Sequence, residues 1–271
     1  MKLIELRDVR FSYPNGFLAV DDVSMSFEAG EAAAIIGQNG AGKTTTVKLM
    51  NNLYQPFEGS VLVNGDDTRN FTTAQVARKV GDVFQNPNDQ LFQPTVEKEI
   101  NYSPRVNKMP ENEAKKWKDM ALDLCGLSDA LDVNPYNLPL SVRKFVTIAC
   151  VIALNTDAII LDEPTAGQDL RGLCLLSEMI RRLTDMGKTV ITITHDMEFV
   201  TDNFKRVIVM ANKKKLADGS ACEIFWDGKI MAQAALKQPP MCALANELGL
   251  EKGVISQREL LETVKRRVAA L

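Results

Sequence analysis

The chain has 271 residues, 45% hydrophobic and 25% charged, the mix of a globular protein rather than a disordered or fibrous one. That length fits one large domain, or a domain with an appendage. Its 32 Lys and Arg against 35 Asp and Glu leave a net charge of −3, which argues against a nucleic-acid binder, whose domain is normally strongly basic.

Five cysteines, Cys125, Cys150, Cys174, Cys222 and Cys242, form no CxxC pair. An odd number so spaced points to buried thiols in a reducing compartment and away from a disulfide framework or a zinc site. The longest apolar run, Phe145 to Leu154, is about half of the ~20 residues a membrane-spanning helix needs. Met1 to Asp8 carries charges where a secretion signal needs an apolar core. The expectation is a cytoplasmic protein that meets a membrane only through a partner.

In chain order, Ile4 and Leu6, then Val9, Phe11 and Tyr13, alternate as a strand with a phase change at Asp8. Val23, Met25 and Phe27 alternate again. Ala32 to Ile36 is a continuous apolar strand, Lys43 to Leu53 has helical spacing, and Val61 to Val63 runs into the turn Asn64-Gly65. From Gln90 to Ile152 the pattern is mostly helical. Glu111 to Leu124 puts Ala114, Trp117, Ala121 and Leu124 on one face, and Pro104, Pro110, Pro135 and Pro139 break the region into pieces.

Strands at Ala158–Leu161, Thr189–Thr194 and Arg206–Met210 then alternate with a helix at Leu170–Met186. This predicts a parallel α/β sheet with its ligand at the carboxyl ends of the strands. Lys213-Lys214-Lys215 reads as a solvated hairpin. Beyond Gly219, residues 222–236, 239–248 and 256–270 read as helices, the last opened by a capping box of Ser256 and Glu259. Residues 220–271 are therefore expected to form a C-terminal helical domain.

Three motifs carry chemistry. Gly37-Gln38-Asn39-Gly40-Ala41-Gly42-Lys43-Thr44, with Thr45 following, fits G-x-x-x-x-G-K-[ST] between a buried strand and a helix. The glycines let backbone N–H groups wrap a triphosphate, Lys43 faces the β- and γ-phosphates, and the Thr44 hydroxyl serves Mg²⁺. The apolar strand Ile159-Ile160-Leu161 ends in Asp162-Glu163-Pro164. Asp162 can hold Mg²⁺ through water, and Glu163 can orient or deprotonate the attacking water. His195, the single histidine, ends another strand and points toward the same crevice. There a neutral imidazole can hydrogen-bond the γ-phosphate or the water.

In this order the motifs resemble those of the ATPase subunits of ABC transporters. The resemblance covers about residues 3–219. It implies an α/β P-loop NTPase of the ABC type, with an antiparallel β subdomain, a helical subdomain at about 86–150 and a C-terminal helical appendage. It further implies that Tyr13 in Phe11-Ser12-Tyr13 stacks on adenine. Gln85 in Val83-Phe84-Gln85-Asn86-Pro87 would meet Mg²⁺ and sense a transmembrane partner, and Asp169 in Ala166-Gly167-Gln168-Asp169 would face a second subunit.

Phe84 to Phe92, and Gln238-Pro239-Pro240 leading into Leu244 to Leu250, are similar to segments of energy-coupling factor (ECF) ATPases, which serve cobalt and vitamin uptake. Such subunits pair beneath a transmembrane coupling subunit that carries exchangeable substrate-capturing membrane subunits. The implied function is an ATP- and Mg²⁺-dependent ATPase held peripherally at the cytoplasmic face of the cell membrane. Two rivals stand beside it: a cytosolic ABC ATPase serving nucleic acid or translation, and a non-catalytic regulatory subunit.

The sequence departs from the family at its signature, Leu-Ser-Gly-Gly-Gln. The ungapped register, anchored by Pro135 and Val146 to Ala149, places Leu138-Pro139-Leu140-Ser141-Val142 there. A two-residue deletion would instead pair Leu140-Ser141 with Leu-Ser, but it would shift Pro135. Pro139 has neither hydroxyl nor N–H, and Leu140 obstructs close backbone approach. The expectation is an impaired second site, and hence a heterodimer with a subunit whose signature is intact.

Overall fold

The computed structural model describes residues 1–250 and 253–269. The chain opens with two long strands, β1 (Lys2–Ser12) and β2 (Leu18–Glu28), paired antiparallel. The phase change read at Asp8 is a bulge. Asp8 has φ 48°, and the β1–β2 register shifts between Leu6 and Val9, so apolar side chains on both sides of it face one core.

β3 (Ala32–Ile36) leads into α1 (Lys43–Met50), which ends earlier than the spacing predicted because Asn52 takes a left-handed turn at φ 59°. β4 (Glu58–Val63) and the short β5 (Asp66–Asp67) complete a four-stranded antiparallel sheet of order β2-β1-β4-β5. α2 (Thr73–Ala77), opened by a capping box of Thr72 and Gln75, precedes β6 (Val80–Val83).

The helical segment holds α3 (Val96–Val106), α4 (Glu111–Cys125) and α5 (Leu140–Ala153). Pro104 does not break it as expected. It lies inside α3, near enough to the end that only one helical bond is lost. Pro110 and Pro139 stand at the N-caps of α4 and α5, where a missing N–H is tolerated.

Next come β7 (Ala158–Asp162), α6 (Leu170–Asp185), β8 (Thr189–Ile193), α7 (Met197–Asn203), β9 (Arg206–Ala211) and β10 (Lys214–Ser220). The second sheet has order β10-β9-β3-β8-β7-β6. β9, β3, β8, β7 and β6 run parallel, and β10 folds back antiparallel through the lysine hairpin. One core lies between the two sheets and α1; the other joins the parallel sheet to the helices.

The expected helix at 222–236 is broken at Asp227 into α8 (Ala221–Trp226) and α9 (Gly228–Gln233), because the Asp227 carboxylate caps the second. α10 (Pro240–Glu247) and α11 (Gln257–Ala269) follow. The predicted capping box is present, with the Ser256 N–H donating to Glu259 at 3.0 Å; position 270 lies outside the described residues. Ile224 and Phe225 of α8 sit in the main core, whereas Ala245, Val254 and Leu260 form a small cluster of their own. The tail is thus anchored in the main core by its first two helices and again at Cys242 of α10 and at Ile255.

Cys125 and Cys242 are buried as expected and Cys150 and Cys222 half-buried, but Cys174 on α6 is exposed. Among the described residues no helix is long and apolar enough to cross a membrane.

Candidate nucleotide site

The parallel strands deliver the motif residues to one edge of the sheet. The loop after β3 carries residues 37–42, β7 ends at Asp162, and His195 lies just past β8. Gln85 follows β6. Asn39, Gly40, Gly42, Lys43, Thr44, Thr45, Gln85, Asp162 and Glu163 line one cleft of about 170 Å³.

Two glycines make the loop possible. Gly37 has φ 154°, and a Cβ there would run into the Met210 carbonyl; Gly42 has φ 98°, and its Cβ would stand 2.6 Å from the Ala19 carbonyl oxygen. Ala41 packs into the inter-sheet core. The Gln38 side chain points away from the cleft and donates to the Ala235 carbonyl at 3.1 Å.

Lys43 is buried. Its Nζ donates to the carbonyls of Gly37 at 2.7 Å and Gln38 at 3.0 Å. Burial lowers its pKa, and the Glu163 and Asp162 carboxylates oppose that shift. The Thr44 hydroxyl donates to Asp162 Oδ2 at 3.0 Å, while Asp162 Oδ1 is buried without a partner. Burial raises the Asp162 pKa against the Thr44 hydrogen bond that lowers it. A buried carboxylate oxygen with no donor, beside a threonine hydroxyl and the Gln85 amide, is an oxygen-donor set that suits Mg²⁺.

Glu163 has φ 50°, a left-handed conformation that costs a non-glycine residue about 1 kcal/mol. Its Oε2 lies 2.8 Å from His195 Nδ1. A carboxylate only accepts, so the proton sits on Nδ1, and a neutral imidazole then offers Nε2 as an acceptor. Nε2 then points away from the Glu163 carboxylate. The imidazole is 71% exposed at the cleft mouth.

Tyr13 lies beside this cleft. Its hydroxyl is 2.8 Å from Thr45 Oγ1, and its ring meets Phe11 and Tyr54 edge-on.

The signature-aligned residues and Asp169 do not reach the cleft. Pro139 caps α5 without a side-chain hydrogen bond, and Leu140 is 51% exposed at its start. The helix start falls within the ungapped segment, whereas the gapped register would carry the last signature positions a turn inside α5. Ser141 accepts through its carbonyl from Gln168 Nε2 at 3.1 Å, and Val142 packs against the core. Arg143 clamps the preceding loop, donating to the carbonyls of Leu138 at 2.9 Å and Tyr136 at 2.6 Å. Asp169 caps α6, accepting from the Gly172 N–H at 2.8 Å.

Two residues at this site were not singled out from sequence. Lys144 is buried one turn into α5, with its ammonium on the Glu163 and Ala166 carbonyls. Asp82 lines an adjoining cleft of about 470 Å³ that shares Thr44, Gln85 and Asp162 with the first. Asn51 Nδ2 donates to its Oδ2 at 2.6 Å, and Oδ1 has no partner. The available signal was a carboxylate inside the strand Val80-Gly81-Asp82-Val83.

Burial, and secondarily Asp162, push the Asp82 carboxyl from 3.8 up to about 7. The folded chain therefore keeps a proton that the unfolded chain releases, and stability falls as pH rises from about 4 to about 7. Asp82→Asn is expected to remove that loss. Its stability advantage over wild type should grow by about 1–3 kcal/mol between pH 5 and pH 8. Thermal unfolding in EDTA measures this, and an advantage constant with pH would refute it.

A family model described as "ABC transporter" matches residues 20–166. A putative ABC transporter ATP-binding protein of Pyrococcus furiosus is 37% identical over 262 residues, covering 97% of this chain and 99% of that protein. An energy-coupling factor transporter ATP-binding protein, EcfA, of Methanothermobacter thermautotrophicus is 35% identical over 248 residues, covering 91% and 80%. Some relatives are longer: the chain spans 46% of a Caldanaerobacter subterraneus protein at 35% identity. Among solved structures, CbiO1 of Clostridium perfringens, part of the ABC transporter complex cbiONQ, superposes with a TM-score of 0.75 at 29% identity. The match covers 92% of this chain and 99% of that one.

Proposed function

This chain belongs to the ABC transporter ATPases and is similar to those of their energy-coupling factor branch, and from that membership we propose that it drives uptake of a vitamin or metal ion. The observation that carries this reading is the single cleft in which Lys43, Thr44, Asp162 and Glu163 converge, with His195 bonded to Glu163. In this reading a transmembrane coupling subunit and a substrate-capturing subunit hold the chain peripherally at the membrane's cytoplasmic face. Nucleic acid plays no part.

ATP enters with its triphosphate in the loop 37–42, where backbone N–H groups and the start of α1 receive the anion. Lys43 exchanges its two carbonyl partners for phosphate oxygens. Tyr13 offers its ring to the adenine. Thr44, Asp162 and Gln85 are the residues that would hold Mg²⁺, which when bound neutralises charge on the β- and γ-phosphates. Glu163 accepts a hydrogen bond from the attacking water and takes its proton, and His195 holds that carboxylate through its Nδ1–H.

Pairing is asymmetric in this reading. Asp169 faces the second ATPase, and the segment 138–142 faces that subunit's nucleotide. There the uncapped backbone N–H groups at the start of α5 survive as donors, but the hydroxyl is lost at Pro139 and close approach is lost at Leu140. A missing oxyanion-type donor costs about 10²–10³ in rate. A homodimer would carry this defect twice, so the productive pair is a heterodimer.

The purified chain is therefore expected to bind Mg-ATP yet hydrolyse it slowly. Installing Pro139→Ser, Leu140→Gly, Ser141→Gly and Val142→Gln together should raise turnover of the isolated chain at least about 10-fold. Steady-state phosphate release is the measurement. Turnover by the unaltered isolated chain equal to that of the transporter complex purified from membranes would overturn the asymmetric pairing, and failure to bind Mg-ATP would overturn the whole reading.

A further inference from the structure

Lys144 lies two residues past Val142, one turn into α5, and is only 5% exposed. Its Nζ donates to the Glu163 carbonyl at 2.7 Å and to the Ala166 carbonyl at 2.8 Å. A buried ammonium is retained in a protein when such acceptors satisfy it. Here both acceptors belong to the turn that begins at Glu163. That turn needs holding, because Glu163 is left-handed at φ 50° and its own N–H is already committed to the Ile193 carbonyl of β8 at 2.8 Å.

The Glu163 main chain is therefore gripped from both sides, its N–H by the sheet and its carbonyl by Lys144. With the backbone so fixed, the carboxylate is aimed at His195. A second tie runs in parallel, from Gln168 Nε2 to the Ser141 carbonyl at 3.1 Å.

We propose that Lys144 is a positioning residue for ATP hydrolysis. It fixes the orientation of the Glu163 carboxylate, and it joins that carboxylate to the start of α5, the segment that faces the partner's nucleotide. The inference rests on the reading of Glu163 and of segment 138–142 given above. Its consequence is that the two composite sites of the pair are linked inside this chain by Lys144, with the Gln168–Ser141 tie beside it. When the start of α5 shifts against a partner's nucleotide, the Glu163 turn shifts with it. The degenerate signature keeps this strut although it has lost its own hydroxyl and glycines.

The test compares Lys144→Met, which keeps the length of the stem and removes the donors, with Lys144→Gln, which restores an amide donor on a shorter stem. Both are made in the transporter complex purified from membranes, and Glu163→Gln is measured alongside. Lys144→Met is expected to lower kcat for ATP about 10- to 100-fold, with KM changed less than about 3-fold. Lys144→Gln is expected to recover part of that loss, and it also serves if the Met variant does not fold.

A kcat at the wild-type level in both variants overturns the proposal. So does a parallel loss of kcat and ATP affinity, which marks a merely structural role. If Glu163→Gln stops turnover while Lys144→Met does not, only this inference falls. If Glu163→Gln itself turns over normally, the reading of Glu163 falls and the inference with it.

Discussion

Glu163→Gln is expected to stop ATP turnover by the transporter complex while ATP stays bound. The amide keeps the size of the side chain and its place beside His195, 2.8 Å from Nδ1 in the native pair. It cannot accept a proton, and loss of a positioned general base costs about 10²–10⁴ in rate. It should also remove one negative charge facing Lys43 and the γ-phosphate, which favours retention of ATP. Single-turnover hydrolysis and filter binding of labelled ATP test both halves. The equivalent change in the second ATPase should be milder, because that subunit's glutamate works against the degenerate segment 138–142. If the partner's glutamate proves the essential one, the asymmetry is assigned the wrong way round.

Lys43→Ala should abolish ATP-driven transport. Lys43 is a buried cation in the phosphate cleft, and its Nζ already sits between two loop carbonyls that hold it ready. Removing it takes away the charge that meets the β- and γ-phosphates and leaves the carbonyls of Gly37 and Gln38 without their donor. ATP affinity should fall together with turnover because that charge is gone, and the orphaned acceptors cost the nucleotide-free chain about 1–3 kcal/mol. Uptake by reconstituted vesicles at the wild-type rate would sink this assignment, and the melting temperature of the variant separates misfolding from lost chemistry.

Much of the nucleotide cleft was legible in the sequence because its residues sit at fixed points of strands. A buried strand followed by G-x-x-x-x-G-K-T, and another ending in Asp162-Glu163, can place their polar ends on only one edge of a parallel sheet. What was not legible came from contacts distant in sequence. Lys144 was passed over just before the apolar run from Phe145, since nothing local shows that two carbonyls some twenty residues away converge on its ammonium. Asp82 was passed over because strand periodicity gives a face, not the partners on it. The tail was read as a separate unit from its change of pattern, but Phe225 is buried in the main core, and shared burial leaves no mark in periodicity. Pro104 was taken for a helix end, and its place near the end of α3 let the helix continue.

The hydrogen bond from Gln38 to the Ala235 carbonyl ties the phosphate loop to the C-terminal tail. Gln38 belongs to the loop that must wrap a triphosphate, and Ala235 lies just beyond α9. Any ligand that redirects Gln38 loosens the tail by whatever that bond contributes, about 0.5–1.5 kcal/mol. By reciprocity, anything that pulls the tail away changes nucleotide affinity by the same factor, about tenfold at most. A protein docked on the C-terminal helices could therefore tune how much nucleotide this subunit holds without touching the cleft.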